Sequence, residues 1–272
     1  MKNPSLNLPG TDCRAMLIFL EELFPQKKTG FGLLCGLLAS VLLGPSSGYG
    51  RPTETDDTSI TQVGRWRTEQ GVDYERTSDG WEWAIAPSFA YSPTKRLEAK
   101  VGWGYVFENP DEASAIETLK TAFEVKSKLW QAANGGLSWG LKGKISFPSS
   151  MRGPQGANDP EGYLKLLVTR PVGPAQYDFN FAYQYDGGWE AGDNDAYFVS
   201  TAFRFKVSTK WQLLAEIFAE IPSQRSGDTT GVVAAGCKYT IRDRLKADLL
   251  IGTGLGRDSA RLRVACGCAW EL

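Results

Sequence analysis

The chain has 272 residues, with 30 Lys and Arg against 31 Asp and Glu, no histidine, 30 glycines and 12% aromatic residues. Near-neutral charge with scattered cations leaves no basic footprint for nucleic acid, and a hydrophobic content of 42% is too high for a disordered chain. The missing histidine removes the commonest general base, the commonest neutral metal ligand and every Ser-His or Cys-His pair, while a mean hydropathy of -0.28, taken alone, reads as soluble.

Lys27 and Lys28 precede an uncharged, largely apolar run from Gly30 to Gly44, followed by small residues through Gly50. A run of about 14 residues is too short to cross a bilayer as a helix and has the order of a secretory signal. Residues 1–50 therefore read as a leader with a signal peptide, cleaved after Gly48 or Gly50, and residues 51–64 as a polar N-terminal segment. The basic residues stand far from Met1, which leaves open a long signal or a start downstream of Met1. Beyond the leader remain Cys237, Cys266 and Cys268, an odd set that argues against a disulfide framework and fits small apolar surface positions.

From Arg65 onward the dominant signal has period two. Leu97, Ala99, Val101, Trp103, Tyr105 and Phe107 alternate with Arg96, Glu98, Lys100, Gly102, Gly104 and Val106, the pattern of a strand with one apolar and one polar face. Breaks at Gly, Pro, Asn and Asp clusters divide the chain into about twelve strands. They are Arg65 to Arg76, Trp81 to Tyr91, Arg96 to Glu108, Ile116 to Trp130, Leu137 to Phe147, Tyr163 to Arg170, Ala175 to Tyr185, Ala196 to Val207, Trp211 to Ile221, Gly231 to Ile241, Leu245 to Leu255 and Arg261 to Leu272. Most have about 11 residues, the length a tilted strand needs to cross an outer membrane. The expected fold is all-β, a transmembrane antiparallel up-and-down barrel spanning residues 65–272.

The connections agree. One set is short throughout, from Pro93 to Lys95 through Arg242 to Arg244, and the other contains long polar loops, as in bacterial outer-membrane barrels with both termini periplasmic. Aromatics sort into two girdles, one with Trp66, Tyr91, Trp130, Trp139, Tyr177, Trp211 and Trp270, the other with Tyr74, Trp83, Tyr105, Phe147, Tyr183, Tyr185 and Tyr197. The last strand alternates to an apolar end at Leu272, resembling the signal read by the barrel-assembly machinery, which normally ends in Phe.

Gly71-Val72-Asp73-Tyr74-Glu75-Arg76 with its turn to Gly80, Pro93-Thr94-Lys95-Arg96-Leu97-Glu98, and Trp211 followed by Leu214-Ala215-Glu216 are similar to the outer-membrane family labelled putative MetA-pathway of phenol degradation, often called transporters. The resemblance runs from Trp66 to Leu272. It implies a barrel and transport, with no catalytic residues.

The positions opposite the apolar ones should face the lumen. Lys126, Lys128, Lys142, Lys144 and Lys165, from three consecutive strands, form a basic stripe there, with Arg204, Glu216 and Glu220 several strands away. Such a stripe either tunes a pore towards anions or pairs with Glu124 and its neighbours to fill a narrow barrel. The longer loops carry Asp79, Asp111, Glu112, Asp159, Glu161, Asp186, Glu190, Asp193, Asp195, Asp228 and Asp258 against Arg152, Arg225 and Arg257. They read as a solvated surface, as carboxylates that bridge to lipopolysaccharide through divalent cations, or as a cation-attracting vestibule. Glu216 and Glu220 are four apart on one strand face, roughly 13 Å, too far for a carboxylate pair, so no enzyme, cofactor or metal is expected. The sequence thus points to a passive channel for small solutes, aromatic or anionic, or alternatively to a closed structural or surface-interaction barrel. Its partners would be outer-membrane lipid, lipopolysaccharide, the assembly machinery and a small solute.

Overall fold

A computed structural model describes residues 55–76, 80–110, 116–148, 160–186, 195–223, 229–256 and 259–272; the leader lies outside them. The chain forms twelve strands: β1 (Trp66–Arg76), β2 (Gly80–Thr94), β3 (Leu97–Pro110), β4 (Ile116–Gln131), β5 (Ser138–Pro148), β6 (Glu161–Val172), β7 (Ala175–Asp186), β8 (Ala196–Lys206), β9 (Trp211–Pro222), β10 (Thr230–Arg242), β11 (Leu245–Gly254) and β12 (Leu262–Glu271). Each pairs antiparallel with the next, and β1 closes on β12 through a register running from Arg67↔Glu271 to Arg76↔Leu262. Closure leaves no open edge, the condition for crossing lipid with strands.

Alternation decides the two faces. On β4, Phe123 and Val125 are each 51% exposed on the outside, while Glu124 and Lys126 between them are buried. β6 repeats this with Leu164 outside at 59% exposure and Lys165 inside at 5%. Outward apolar residues beside buried lysines invert the arrangement of a soluble protein. This is why the mean hydropathy misleads: it averages a lipid face with a lumen face.

The short connections lie at one end, 95–96 between β2 and β3, 173–174 between β6 and β7, and 243–244 between β10 and β11. Gly173 supplies a positive φ of 58° in one of them, which a residue with a Cβ adopts only with strain. At the same end Trp66 packs on Tyr91 with centroids 4.8 Å apart, Trp211 on Tyr239 at 4.6 Å, and Trp130 stands opposite Trp139. Towards the other end Tyr74 packs on Trp83 at 4.7 Å and Tyr183 on Tyr197 at 5.7 Å. Cys237, Cys266 and Cys268 are unpaired thiols.

Two loop carboxylates differ from their sequence assignment. Glu161 is the first residue of β6 and its carboxylate pairs with Lys120 of β4, so it belongs to the barrel wall. Asp186 closes β7. Asp195 accepts a hydrogen bond from the Tyr183 hydroxyl. The remaining acidic loop positions and the three arginines lie outside the described residues.

Candidate functional site: a lysine row and an internal strap

Register brings the predicted lysines together. Lys126 of β4 stands opposite Lys142 of β5, which stands opposite Lys165 of β6. Three cations side by side on adjacent strands destabilise a sheet unless anions intervene. Two anions come from the wall: Glu98 of β3 faces Lys126 in register at 3.5 Å and also holds Arg67 at 3.0 Å, and Glu124 of β4 lies 2.9 Å from Lys142 and 3.1 Å from Lys100. Lys144, opposite Glu124 and Tyr163, sets its ammonium 5.6 Å from the Tyr163 ring. Lys128, across from Gly140, is half-buried nearer the short-turn end.

The third anion comes from the polar N-terminal segment, whose position the sequence left open. Residues 55–64 run inside the barrel as a strap. Thr55, Thr58 and Thr61 are at most 4% exposed. The Asp56 carboxylate sits between Lys142, at 3.1 Å, and Lys165, at 3.2 Å. Burial alone would raise this carboxyl's pKa, but Lys142, Lys165, Lys126 and Lys100 outweigh it and hold the group well below the usual carboxylate range.

The strap has no partner strand, so its backbone and hydroxyl groups are satisfied by lumen side chains, as buried polar groups require. The Asp56 N–H donates to Asn180 Oδ1 at 2.7 Å, and Asn180 Nδ2 donates back to the Asp56 carbonyl at 3.0 Å. The Thr58 N–H donates to Thr169 Oγ1 at 3.0 Å, its hydroxyl bonds Ser138 at 2.7 Å, and the Thr61 N–H donates to Glu98 at 2.9 Å. The strap turns into β1 through Gln62–Arg65, closed by a 3.1 Å bond from Arg65 N–H to Gln62 O, with Gly64 at a φ of 76°.

Through the strap the lysine row reaches two further predicted residues. Arg204 of β8 donates to the Thr55 carbonyl at 2.9 Å, lies 3.9 Å from Asp57 and pairs with Asp178. Glu216 of β9 accepts a hydrogen bond from the Thr55 N–H. Glu220 is not part of this group. It stands opposite Phe198 and Thr230, further towards the loop end.

The sequence did not single out the apolar part of the inner face. On β9–β12, Leu214, Val232, Ala234, Leu250 and Ala265 point inward and pack into an apolar cluster with Phe218. Phe198 stacks on Phe218 with centroids 5.5 Å apart, with the Lys165 ammonium 5.0 Å from the first ring and the Arg263 guanidinium 5.2 Å from the second. This ring pair marks the boundary between charged and apolar walls. The open space lies on the charged side: a cavity of about 370 Å³ bounded by Lys120, Lys142, Lys144, Tyr163 and Asp56, and across from them by Gly71, Ala84, Ala86 and Gly104. Small residues facing long lysines leave the gap. Listing apolar residues at inward parity would have revealed the packed half; the strap has no comparable periodic signal.

No family model and no curated protein matches the chain. Among solved structures, an outer membrane channel from Pseudomonas putida F1 matches with a TM-score of 0.62 at 11% identity, over 81% of this chain and 100% of that one. The KdgM porin in complex with disordered oligogalacturonate gives 0.53 at 8% identity, over 75% and 98%, and the NanC porin 0.53 at 10% identity, over 75% and 100%. At these identities the likeness is one of fold, and the fold is that of outer-membrane β-barrel channels.

Proposed function

We propose that the chain is a passive outer-membrane channel for small solutes, with anions favoured. The observation that carries this is the in-register row Lys126, Lys142 and Lys165 beside an open cavity whose opposite side holds Gly71, Ala84 and Ala86 together with Arg67, Glu69 and Asp73. Charged rows at a constriction set ion preference. A cavity of about 370 Å³ suits a small solute with its water. The lysine row borders open space whereas the apolar cluster of β9–β12 is packed, which supports the anionic side of the expectation.

In this reading residues 65–272 are the spanning barrel, the short turns and both termini are periplasmic, and residues 55–64 enter the lumen from that side. The outward apolar belt meets lipid, and the loop carboxylates face lipopolysaccharide. The chain performs no catalysis. The resemblance to the MetA-pathway transporters fits a transport role, and the oligogalacturonate bound by one structurally similar porin is itself a carboxylate-bearing solute.

A second reading has its own observation: the buried ion pairs and the docked strap fill much of the charged half, as in a closed structural barrel. Single-channel recording of the refolded protein in a planar bilayer separates the two. The channel reading expects persistent conducting steps with an anion-selective reversal potential under a salt gradient; a silent bilayer favours the closed barrel.

A further inference from the structure

Deepening that reading, and resting on it for its biological use, we propose that the space between Lys142 and Lys165 is a binding site for the carboxylate of a small solute, with Asp56 as its tethered resident. Both ammonium groups converge on one carboxylate, Lys142 reaching Oδ1 at 3.3 Å and Oδ2 at 3.1 Å and Lys165 reaching Oδ2 at 3.2 Å. The lysine side chains are 9% and 7% exposed, whereas the Asp56 side chain is 24% exposed and borders the cavity. All three side chains border the cavity, and the anion is the most exposed of them.

The three anions of the row differ in origin. Glu98 and Glu124 are built into β3 and β4, Glu98 in register with Lys126 and Glu124 diagonal to Lys142. Asp56 belongs to the strap, attached to the wall by hydrogen bonds and joined to β1 through the turn at Gly64. A carboxylate arriving through the cavity can replace Asp56 charge for charge. Such an exchange leaves neither lysine with an uncompensated buried charge, which is the costly alternative. Withdrawal of the strap on its own exposes that cost, so an entering carboxylate is the ligand that favours opening.

The test is chemical rescue of Asp56→Ala in detergent, read as the thermal unfolding midpoint against added sodium acetate or sodium chloride at matched ionic strength. The variant should unfold at a midpoint lower by about 4 °C or more. Acetate should restore the midpoint saturably, chloride should not, and wild type and the double variant D56A/K165A should be insensitive. Equal rescue by chloride reduces the effect to screening and overturns the proposal, as does an acetate response in D56A/K165A as large as in D56A. Asp56→Asn, which keeps the strap's shape without its charge, gives the same reading if the alanine variant does not assemble. The measurement needs no conduction. A silent bilayer with acetate rescue removes the channel reading and keeps the site; conduction without rescue does the reverse.

Discussion

The two walls of the lumen solve the same problem in opposite ways. Every strand presents alternate residues inward, and those residues must be either packed or solvated. On β9–β12 the inward residues include an apolar cluster, Leu214, Val232, Ala234, Leu250 and Ala265, beside Glu216, Arg263 and the Lys238–Asp248 pair. On β3–β6 they are long and charged, and the wall cannot neutralise itself from its own registers. It draws in a strap from outside the sheet, and it keeps a cavity where Gly71, Ala84, Ala86 and Gly104 leave room among Arg67, Glu69 and Asp73. The apolar cluster fills part of one half, and the charged half keeps a cavity of about 370 Å³.

The contrast can be broken most severely on the charged wall. Glu124→Ala strips a shared anion from Lys100 and Lys142, and removing one partner of a buried pair costs about 3–5 kcal/mol. Chemical denaturation in detergent should show that loss, and the ion preference should rise towards anions. Leu250→Ala on the other wall opens a void and should cost about 2–4 kcal/mol, yet leave selectivity unchanged. A change of selectivity in L250A would mean that solutes also pass along the apolar side.

Smaller and more specific is the effect of pH on the strap. The Asp56 carboxyl is held below its ordinary value when docked, so its contribution to stability is complete above the ordinary carboxylate range near pH 3.9 and is lost as pH falls through the lowered value. The gap in unfolding midpoint between wild type and Asp56→Asn should therefore be constant from about pH 8 to pH 5 and shrink progressively as pH falls below the ordinary carboxylate value. A gap that closes near neutrality would mean that Asp56 is not the group holding the strap. Smallest of all should be Lys128→Gln, since Lys128 faces Gly140 outside the lysine row; among single lysine replacements on β4–β6 it should move the reversal potential least.

Period two made the barrel legible in the sequence. Alternation in segments such as Leu97 to Phe107 gives both the strand and its two faces, and Gly and Pro clusters give the breaks, so twelve strands emerge within a few residues of their ends. The same parity places Lys126, Lys142 and Lys165 inward. Their alignment into one row depends on inter-strand register, which the turns determine. The strap was not legible at all, because its partners are remote: Thr55 meets Glu216 across 161 positions and Asp56 meets Asn180 across 124. A polar segment without periodicity is compatible with solvent or with a polar lumen, and only the closed sheet decides. Glu161 was misassigned for a related reason, since its pairing with Lys120 extends β6 past the loop-like residues before it.

The central claim is that the β4–β6 lysines line the path that solutes take. Its most direct test is the reversal potential of the refolded barrel under a potassium chloride gradient, wild type against a variant carrying Lys142→Glu and Lys144→Glu. The account predicts an anion-selective value for wild type that moves towards the cation side in the variant. An unchanged reversal potential, with both proteins conducting, would contradict it.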